Sequence, residues 1–256
     1  MKGFKAFIIL LMVMLFLVGM ASFLYPYIRK SVVDSSMRDD AQEFIERVTV
    51  ELWEEEDLPE EEVPEPTEPP YKDLLDAMRE YNERIYLEEQ KGLCDPWSYQ
   101  QPSFTLGEYG LEDEVFGVVS IPRLDLKMPL YLGATYQHLS DGAAQLSQTS
   151  IPIGGMNTNA VIAGHRGWYG ASYFRYITDL EIGDEVIITN LWGSMTYTVA
   201  DTKIIQPYEV EKILIQPGKE LITLLTCHPY ASGGKQRYLV ICERSSYEHN
   251  SQYNDH

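Results

Sequence analysis

The residue best suited to chemistry is Cys227, which ends the apolar run 223–227 and is followed by His228 and Pro229. The run has the composition of a strand, and the proline stops further strand pairing just beyond the cysteine. A strand end holds a side chain rigidly while leaving it open to another molecule. Because a thiol with an ordinary pKa of about 8.5 is mostly protonated at neutral pH, nucleophilic chemistry at Cys227 needs a base or a cation beside it.

Among the five histidines, His165 is the best candidate for that base. It directly follows the apolar run 160–163, inside the sequence Gly-His-Arg-Gly, where the glycines allow close approach of the backbone. His228 adjoins Cys227, but consecutive strand residues point to opposite faces of a sheet. The other three histidines lie in a polar tail or before a predicted short helical insertion: His138, His249 and His256.

A positive charge for the same site is predicted at Arg237, ten residues after Cys227, which is a separation typical of a β-hairpin. An arginine there could donate hydrogen bonds to the oxyanion of an acyl-transfer intermediate and favour the thiolate. Arg166 and Lys235 are alternatives for this role. Cys242 lies five residues beyond Arg237, hence on the other strand face, and is predicted to be structural.

Short runs of β-branched and aromatic residues follow one another from residue 114 onward, separated by turn residues such as Gly-Gly and Gly-Asp. This pattern predicts an all-β barrel or sandwich with short helical insertions. Sustained alternation with helices, which a parallel α/β fold requires, is missing from the pattern. The predicted strands are 115–121, 128–132, 160–164, 185–189, 195–200, 221–226 and 236–242.

The N-terminal segment 1–30 is predicted to be an uncleaved signal-anchor. Residues 6–24 are nearly all apolar, and about 20 apolar helical residues cross a hydrocarbon core about 30 Å thick. Basic residues flank the run at both ends, so their distribution gives no orientation. Because no second run of spanning length follows, everything after residue 30 is expected on one side of the membrane.

Between the anchor and the strands, residues 31–112 are predicted to form a helical extension, with helices over 35–50 and 71–90. The segment 51–70 between these helices is rich in glutamate and proline and reads as an acidic linker. The net charge of −19 and the pI of about 4.6 argue against a nucleic-acid partner. No spacing matches a metal-binding loop, so we expect neither a metal nor another cofactor.

Taken together, Thr223-Leu-Leu-Thr-Cys227, His165 in its Gly-His-Arg-Gly turn and Arg237 resemble the signature of the sortase family. The similarity runs from about residue 116 to residue 244 and includes the Ile-Pro and Gly-Asp pairs at 121–122 and 183–184. The resemblance implies an eight-stranded sortase-type β-barrel over 113–244, followed by a polar tail over 245–256.

The resemblance also implies a Cys-His-Arg mechanism. Cys227 would attack the Thr-Gly bond of an LPXTG-like sorting signal and form a thioester with the substrate threonine. His165 would act as general acid and base, Arg237 would stabilise the oxyanion, and an incoming amine would resolve the thioester. Thr226, beside the nucleophile, is a further candidate for substrate contact.

A second set of features resembles the pilus-assembling sortases, called class C. These carry a helical N-terminal extension and a lid with an Asp-Pro-aromatic motif, and this chain has Asp95-Pro96-Trp97 within a predicted lid at 94–98. In that family the aspartate pairs with the catalytic arginine and the ring covers the cysteine, which assigns Asp95 to Arg237 and Trp97 to Cys227. The chain departs from the family in its polar C-terminal tail and in the absence of a histidine directly before the arginine.

These features predict a pilin polymerase that uses a lysine amine of another pilin subunit. A wall-anchoring sortase with a peptidoglycan amine as acceptor, a hydrolytic cysteine protease and a non-catalytic binding protein are the alternatives. Sorting signals emerge outside the membrane, so the resemblance implies a cytoplasmic N-terminus and an extracellular catalytic domain. The partners expected are LPXTG-like surface or pilin proteins and the cell membrane.

Overall fold

The computed structural model describes residues 2–53, 68–93, 101–167 and 171–245. Three α-helices lie in these ranges: α1 Lys2–Trp53, α2 Lys72–Leu87 and α3 Tyr136–Asp141. The strands are β1 Val115–Ile121, β2 Leu126–Leu132, β3 Ala143–Gln145, β4 Thr158–Ala163, β5 Glu185–Asn190, β6 Gly193–Ile205, β7 Glu220–His228 and β8 Gln236–Arg244. Short 3-10 helices occupy Leu106–Tyr109, Pro122–Leu124, Ile177–Asp179 and Val210–Ile213.

The eight strands close into a barrel in the order β1-β2-β3-β4-β7-β8-β6-β5. The pairs β2–β3 and β4–β7 are parallel and the other pairs are antiparallel. All seven predicted runs form strands. The eight-stranded barrel implied by the family resemblance is confirmed. The sequence pattern missed β3 because three residues are too few to show a period of two.

Helix α1 is one continuous helix of 52 residues, where the sequence predicted an anchor and a separate helix. Its N-terminal part exposes large apolar side chains. Within the range Phe4–Thr49, the most apolar stretch of 18 residues has a mean hydropathy of 2.8, and none of that stretch is buried. This helix is therefore long and apolar enough to cross a membrane. The C-terminal part packs on β1 and β2 through buried residues three or four apart, Met37, Ala41, Phe44 and Val48.

Ion pairs hold the same part of α1 against the barrel. Arg38 lies 3.0 Å from the Asp125 carboxylate in the turn before β2, and Arg47 lies 3.2 Å from Asp113, just before β1. Exposed pairs of this kind contribute at most about 1 kcal/mol each, so the apolar stripe provides most of the attachment.

Helix α2 covers another part of the barrel and stays close to its predicted bounds. Its apolar face is buried, and Asn82 makes a two-way amide pair with the backbone of Ile151, at 2.7 Å and 3.1 Å. The acidic linker predicted at 51–70 lies largely outside the described residues. The lid predicted at 94–98 lies wholly outside them, and so does the C-terminal tail beyond Ser245.

Candidate active site

Three adjacent strands, β4, β7 and β8, carry the residues that the sequence assigned to chemistry. Cys227 is the next-to-last residue of β7, and Arg237 is its direct partner across the antiparallel pair with β8. Residues opposite each other in such a pair lie on the same face with Cβ atoms about 5 Å apart. The hairpin spacing read from the sequence therefore brings the predicted thiol and the predicted cation side by side.

His165 enters from the parallel neighbour on the other side. In the β4–β7 ladder Ala163 pairs with Leu225, and the Gly164 N–H continues the ladder by donating to the Leu225 carbonyl at 3.0 Å. His165 and Cys227 each lie two residues beyond that pair. Because side chains alternate along a strand with a period of two, the two residues share one face.

The turn before His165 depends on Gly164. A Cβ on Gly164 would lie 2.6 Å from the ring of Phe174, so the backbone can pass there only without a side chain. The His165 carbonyl in turn accepts a hydrogen bond of 2.9 Å from the Phe174 N–H. These contacts fix where the histidine leaves the strand.

The His165 ring packs edge-on against Tyr173, with ring centroids 5.8 Å apart at 90°. Burial lowers the pKa of His165 from its ordinary value of 6.5, because desolvation disfavours the charged imidazolium. The ring is thus kept neutral at physiological pH, which is the form that can accept a proton.

Gly234 is a residue of the site that sequence reasoning missed. A Cβ on Gly234 would lie 3.2 Å from the Cys227 Sγ and 3.3 Å from the Arg237 Nη1, so both functional atoms converge on this glycine. Arg237 Nη1 also donates to the carbonyls of Gly234 and Gln236, at 2.5 and 3.1 Å. The sequence indicated Gly233-Gly234 only as a turn, and the close approach is a property of the folded hairpin.

Thr226 is 1% exposed, and its hydroxyl donates to the Gly164 carbonyl at 2.8 Å. This bond ties the end of β7 to the turn that carries His165. The geometry gives Thr226 a positioning role in the conformation described, whereas the substrate contact expected from the sequence stays a prediction.

Arg166, the alternative to Arg237, contacts the backbone of Cys227 and the side chain of His228. Its Nη1 donates to His228 Nδ1 at 2.7 Å and approaches the Cys227 carbonyl at 3.4 Å. Since a guanidinium can only donate, His228 must be the neutral tautomer with its proton on the other nitrogen. Burial and the Arg166 charge both lower the pKa of His228. The other alternative, Lys235, is exposed.

Cys242 and His138 lie away from this site. Cys242 is fully buried in β8, and burial raises the pKa of its thiol to about 12, so it stays protonated as the structural residue that the sequence predicted. His138 is buried in α3, where its Nδ1 lies 2.7 Å from the Gly133 carbonyl. Asp95 and Trp97 lie outside the described residues. Within the described residues no group of three or more His, Cys, Asp or Glu could hold a metal ion.

The barrel is closed and has eight strands, and three adjacent strands bring a cysteine, a histidine and an arginine to the same end. This combination is typical of a class of proteins that use a thiol for acyl transfer. Comparison with known protein families matches residues 119–245 to the sortase domain. Among solved structures, sortase C1 of Streptococcus agalactiae superposes with a TM-score of 0.64 and 31% identity, over 71% of this chain and 92% of that protein.

Two further relatives extend the comparison. A pilus-related sortase C of group B Streptococcus gives a TM-score of 0.56 and 28% identity, over 69% of this chain and 94% of that protein. Sortase D of Bacillus subtilis is 28% identical over 130 residues, which are 50% of this chain and 63% of that protein. The chain spans between 47% and 63% of the length of the curated relatives that it matches. The chain belongs to the sortase family, and its structural neighbours are class C sortases.

Proposed function

We propose that this protein is a membrane-tethered cysteine transpeptidase that cleaves an LPXTG-like sorting signal and transfers the acyl part to an amine. The observation that carries the proposal is the cross-strand pair of Cys227 with Arg237, together with His165 two residues beyond the paired end of β4. A thiol, a base and a cation on one face are the groups that acyl transfer through a thioester requires.

In the first half-reaction the Cys227 proton passes to His165, and the thiolate attacks the threonine carbonyl carbon of the substrate. Arg237 donates to the oxyanion that forms. Collapse of the intermediate breaks the Thr-Gly bond, and the departing glycine amine takes the proton from His165. The products are a thioester on Cys227 and a free amine.

In the second half-reaction an amine attacks the thioester carbonyl and gives a proton to His165, again with Arg237 at the oxyanion. Collapse expels the Cys227 thiolate, which recovers its proton from the imidazolium. One peptide bond is broken and one amide bond is made, with no net change in protons and no cofactor.

For the acceptor, we propose the lysine amine of a pilin subunit. The proposal is supported by the likeness to sortases described as class C and pilus-related and by the helical extension. A lid containing Asp95 and Trp97 fits the same class: a carboxylate suits a guanidinium partner, and an indole ring excludes water. Peptidoglycan as acceptor is the second outcome that an experiment should separate.

For the topology, we propose a cytoplasmic N-terminus and an extracellular barrel, because the substrate emerges outside the cell. The apolar helix Phe4–Thr49 supports a membrane anchor. Protease added to intact protoplasts is expected to digest the barrel. A barrel that is protected until the membrane is permeabilised would place it in the cytoplasm.

The test of the activity is mass spectrometry of the full chain in nanodiscs, incubated with an LPXTG-type peptide and either a lysine-bearing pilin peptide or a peptidoglycan stem peptide. We expect a thioester adduct on Cys227, an amide product that depends on the added amine, and neither in Cys227→Ala. If the native chain is silent, Trp97→Ala tests whether the lid covers the thiol. Adduct formation that persists in Cys227→Ala, or silence in both the native chain and the lid variant, would refute the proposal, and hydrolysis alone would indicate a protease.

A further inference from the structure

The membrane helix contacts the polypeptide that carries the predicted catalytic histidine. Asp34, on α1, accepts two hydrogen bonds from Ser172: one from its backbone N–H at 2.9 Å and one from its hydroxyl at 3.0 Å. Both residues are half-buried. This two-point contact joins a helix that begins in the anchor to a loop that begins at the active site.

Ser172 is adjacent to the residues that pack on His165. Tyr173 lies edge-on to the His165 ring, and the Phe174 N–H donates to the His165 carbonyl. The Tyr173 hydroxyl donates to the Ser140 carbonyl at 2.6 Å, so this ring is held at its far end as well. A shift of Ser172 would therefore move Tyr173, the neighbouring residue whose ring packs on His165.

The backbone at Tyr173 needs such support. Its φ is 40°, in the left-handed region that a bulky residue adopts only when its surroundings impose it. The bonds from Ser172 to Asp34 hold the preceding residue, and the bond from Tyr173 to Ser140 holds the side chain. Without the Asp34 carboxylate, one of the restraints on this strained residue is lost.

The anchor helix also reaches Tyr173 electrostatically. The pKa of Tyr173 is raised to about 12, mainly by burial and also by the charges of Asp141 and Asp34, while Arg29 lowers it. Two residues of α1 therefore face this side of the site. Since the helix is continuous through residues 29 and 34, both residues lie on the same helix as the proposed anchor.

We propose that Asp34 is a positioning residue for His165, so that the membrane anchor is a working part of the active site. The proposal rests on the assignment of His165 as the acid and base of the proposed function. Asp34 acts through Ser172 and Tyr173, and it does not touch the reacting atoms.

Arg38→Ala provides a matched control. Arg38 lies one helical turn from Asp34 and also joins α1 to the barrel, through the carboxylate and carbonyl of Asp125, both at 3.0 Å. Among the described residues, its hydrogen bonds go to Asp125 in the turn before β2, and none goes to Ser172 or Tyr173. The comparison of Asp34→Ala with Arg38→Ala therefore separates coupling to the histidine from attachment of the helix.

The experiment uses the full chain in nanodiscs and two readouts. Single-turnover thioester formation with an LPXTG-type peptide is expected to slow about tenfold in Asp34→Ala, with little change in KM, because a small misplacement of a catalytic group lowers kcat. Arg38→Ala should stay within about twofold of the native rate. Asp34→Asn should recover most of the rate, since its amide oxygen still accepts from the Ser172 N–H.

The second readout is the pH dependence of Cys227 alkylation by iodoacetamide, which needs no sorting signal. The part of the pH profile that reports the titration of His165 should shift toward the ordinary histidine pKa in Asp34→Ala, because a loosened Tyr173 lets water reach the His165 ring. If neither the native chain nor Trp97→Ala forms a thioester, the proposed function fails, but alkylation still tests the coupling. Asp34→Ala and Arg38→Ala profiles that coincide would overturn the inference.

Discussion

At the residue scale, the burial of His165 makes stability depend on pH in a defined direction. Its pKa is lowered from 6.5 by desolvation, so the folded protein resists a proton that the unfolded chain accepts. The unfolded state then binds more protons, and the free energy of unfolding falls as the pH drops through 6.5 toward the lowered pKa. Above 6.5 the ring is neutral in both states and contributes no pH dependence.

His165→Gln tests this sign. Glutamine has no titrating group, so the variant should lose less stability than the native chain between about pH 7.5 and about pH 5, although both lose some as carboxylates protonate. The measurement is urea denaturation of both proteins at the two pH values. Equal losses would mean that the His165 ring is solvated in solution and would contradict the packing against Tyr173.

At the element scale, the β7–β8 hairpin determines the site because it sets Cys227 opposite Arg237 and closes with Gly233 and Gly234. The two glycines have nearly the same backbone, with φ of 72° and 74°. They differ in their surroundings: a Cβ on Gly233 would meet nothing within 4 Å, whereas one on Gly234 would press on the Cys227 Sγ and on Arg237.

Gly234→Ala and Gly233→Ala therefore form a matched pair. Each should lose about 1–2 kcal/mol of stability, because an alanine Cβ is strained in the left-handed region. Only Gly234→Ala should also slow the reaction of Cys227 with iodoacetamide, by about tenfold, since the added methyl displaces the thiol or the guanidinium. Thermal unfolding and alkylation rates separate the two effects, and similar alkylation rates in both variants would argue against the crowding at Gly234.

Sequence patterns predicted most of these elements but little of their arrangement. The alternating runs located seven strands, and the ten-residue separation of Cys227 and Arg237 was enough to pair them. The parallel β4–β7 contact joins residues about 60 positions apart, and no local pattern encodes such a pairing. Comparison of the five histidines therefore made His165 a candidate base, but it did not predict the strand pairing that brings His165 to Cys227. Gly234 and Asp34 were missed because their importance lies in tertiary contacts with no local signal.

The continuity of α1 was missed for a related reason. The sequence predicted an anchor over 1–30 and a separate helix over 35–50, and Pro26, a residue type that normally interrupts a helix, lies inside the continuous α1. In the structure the apolar stripe from Met37 to Val48 packs on the barrel and supports the C-terminal part of the helix.

At the scale of the whole molecule, helix α1 contains both the exposed apolar run and the segment that packs on the barrel. Apolar packing and ion pairs hold that second segment against the barrel. The chain carries a net charge of −19, which disfavours close approach to an anionic membrane surface. With the apolar run of α1 as the proposed anchor, the position of the barrel relative to the membrane would follow from the geometry of α1.

Because α1 is continuous, its length sets the distance between its apolar run and the barrel. From Leu24, where the apolar run ends, to Asp34 there are ten residues, which span about 15 Å of helix axis. With the apolar run as the proposed anchor, the helix would hold the proposed thiol site at a fixed height above the bilayer, and we expect membrane-anchored substrates to be selected by the length of their stalks. Lipid-anchored peptides with graded spacers should show one optimal length, and a flat response would mean that the helix bends freely at Pro26.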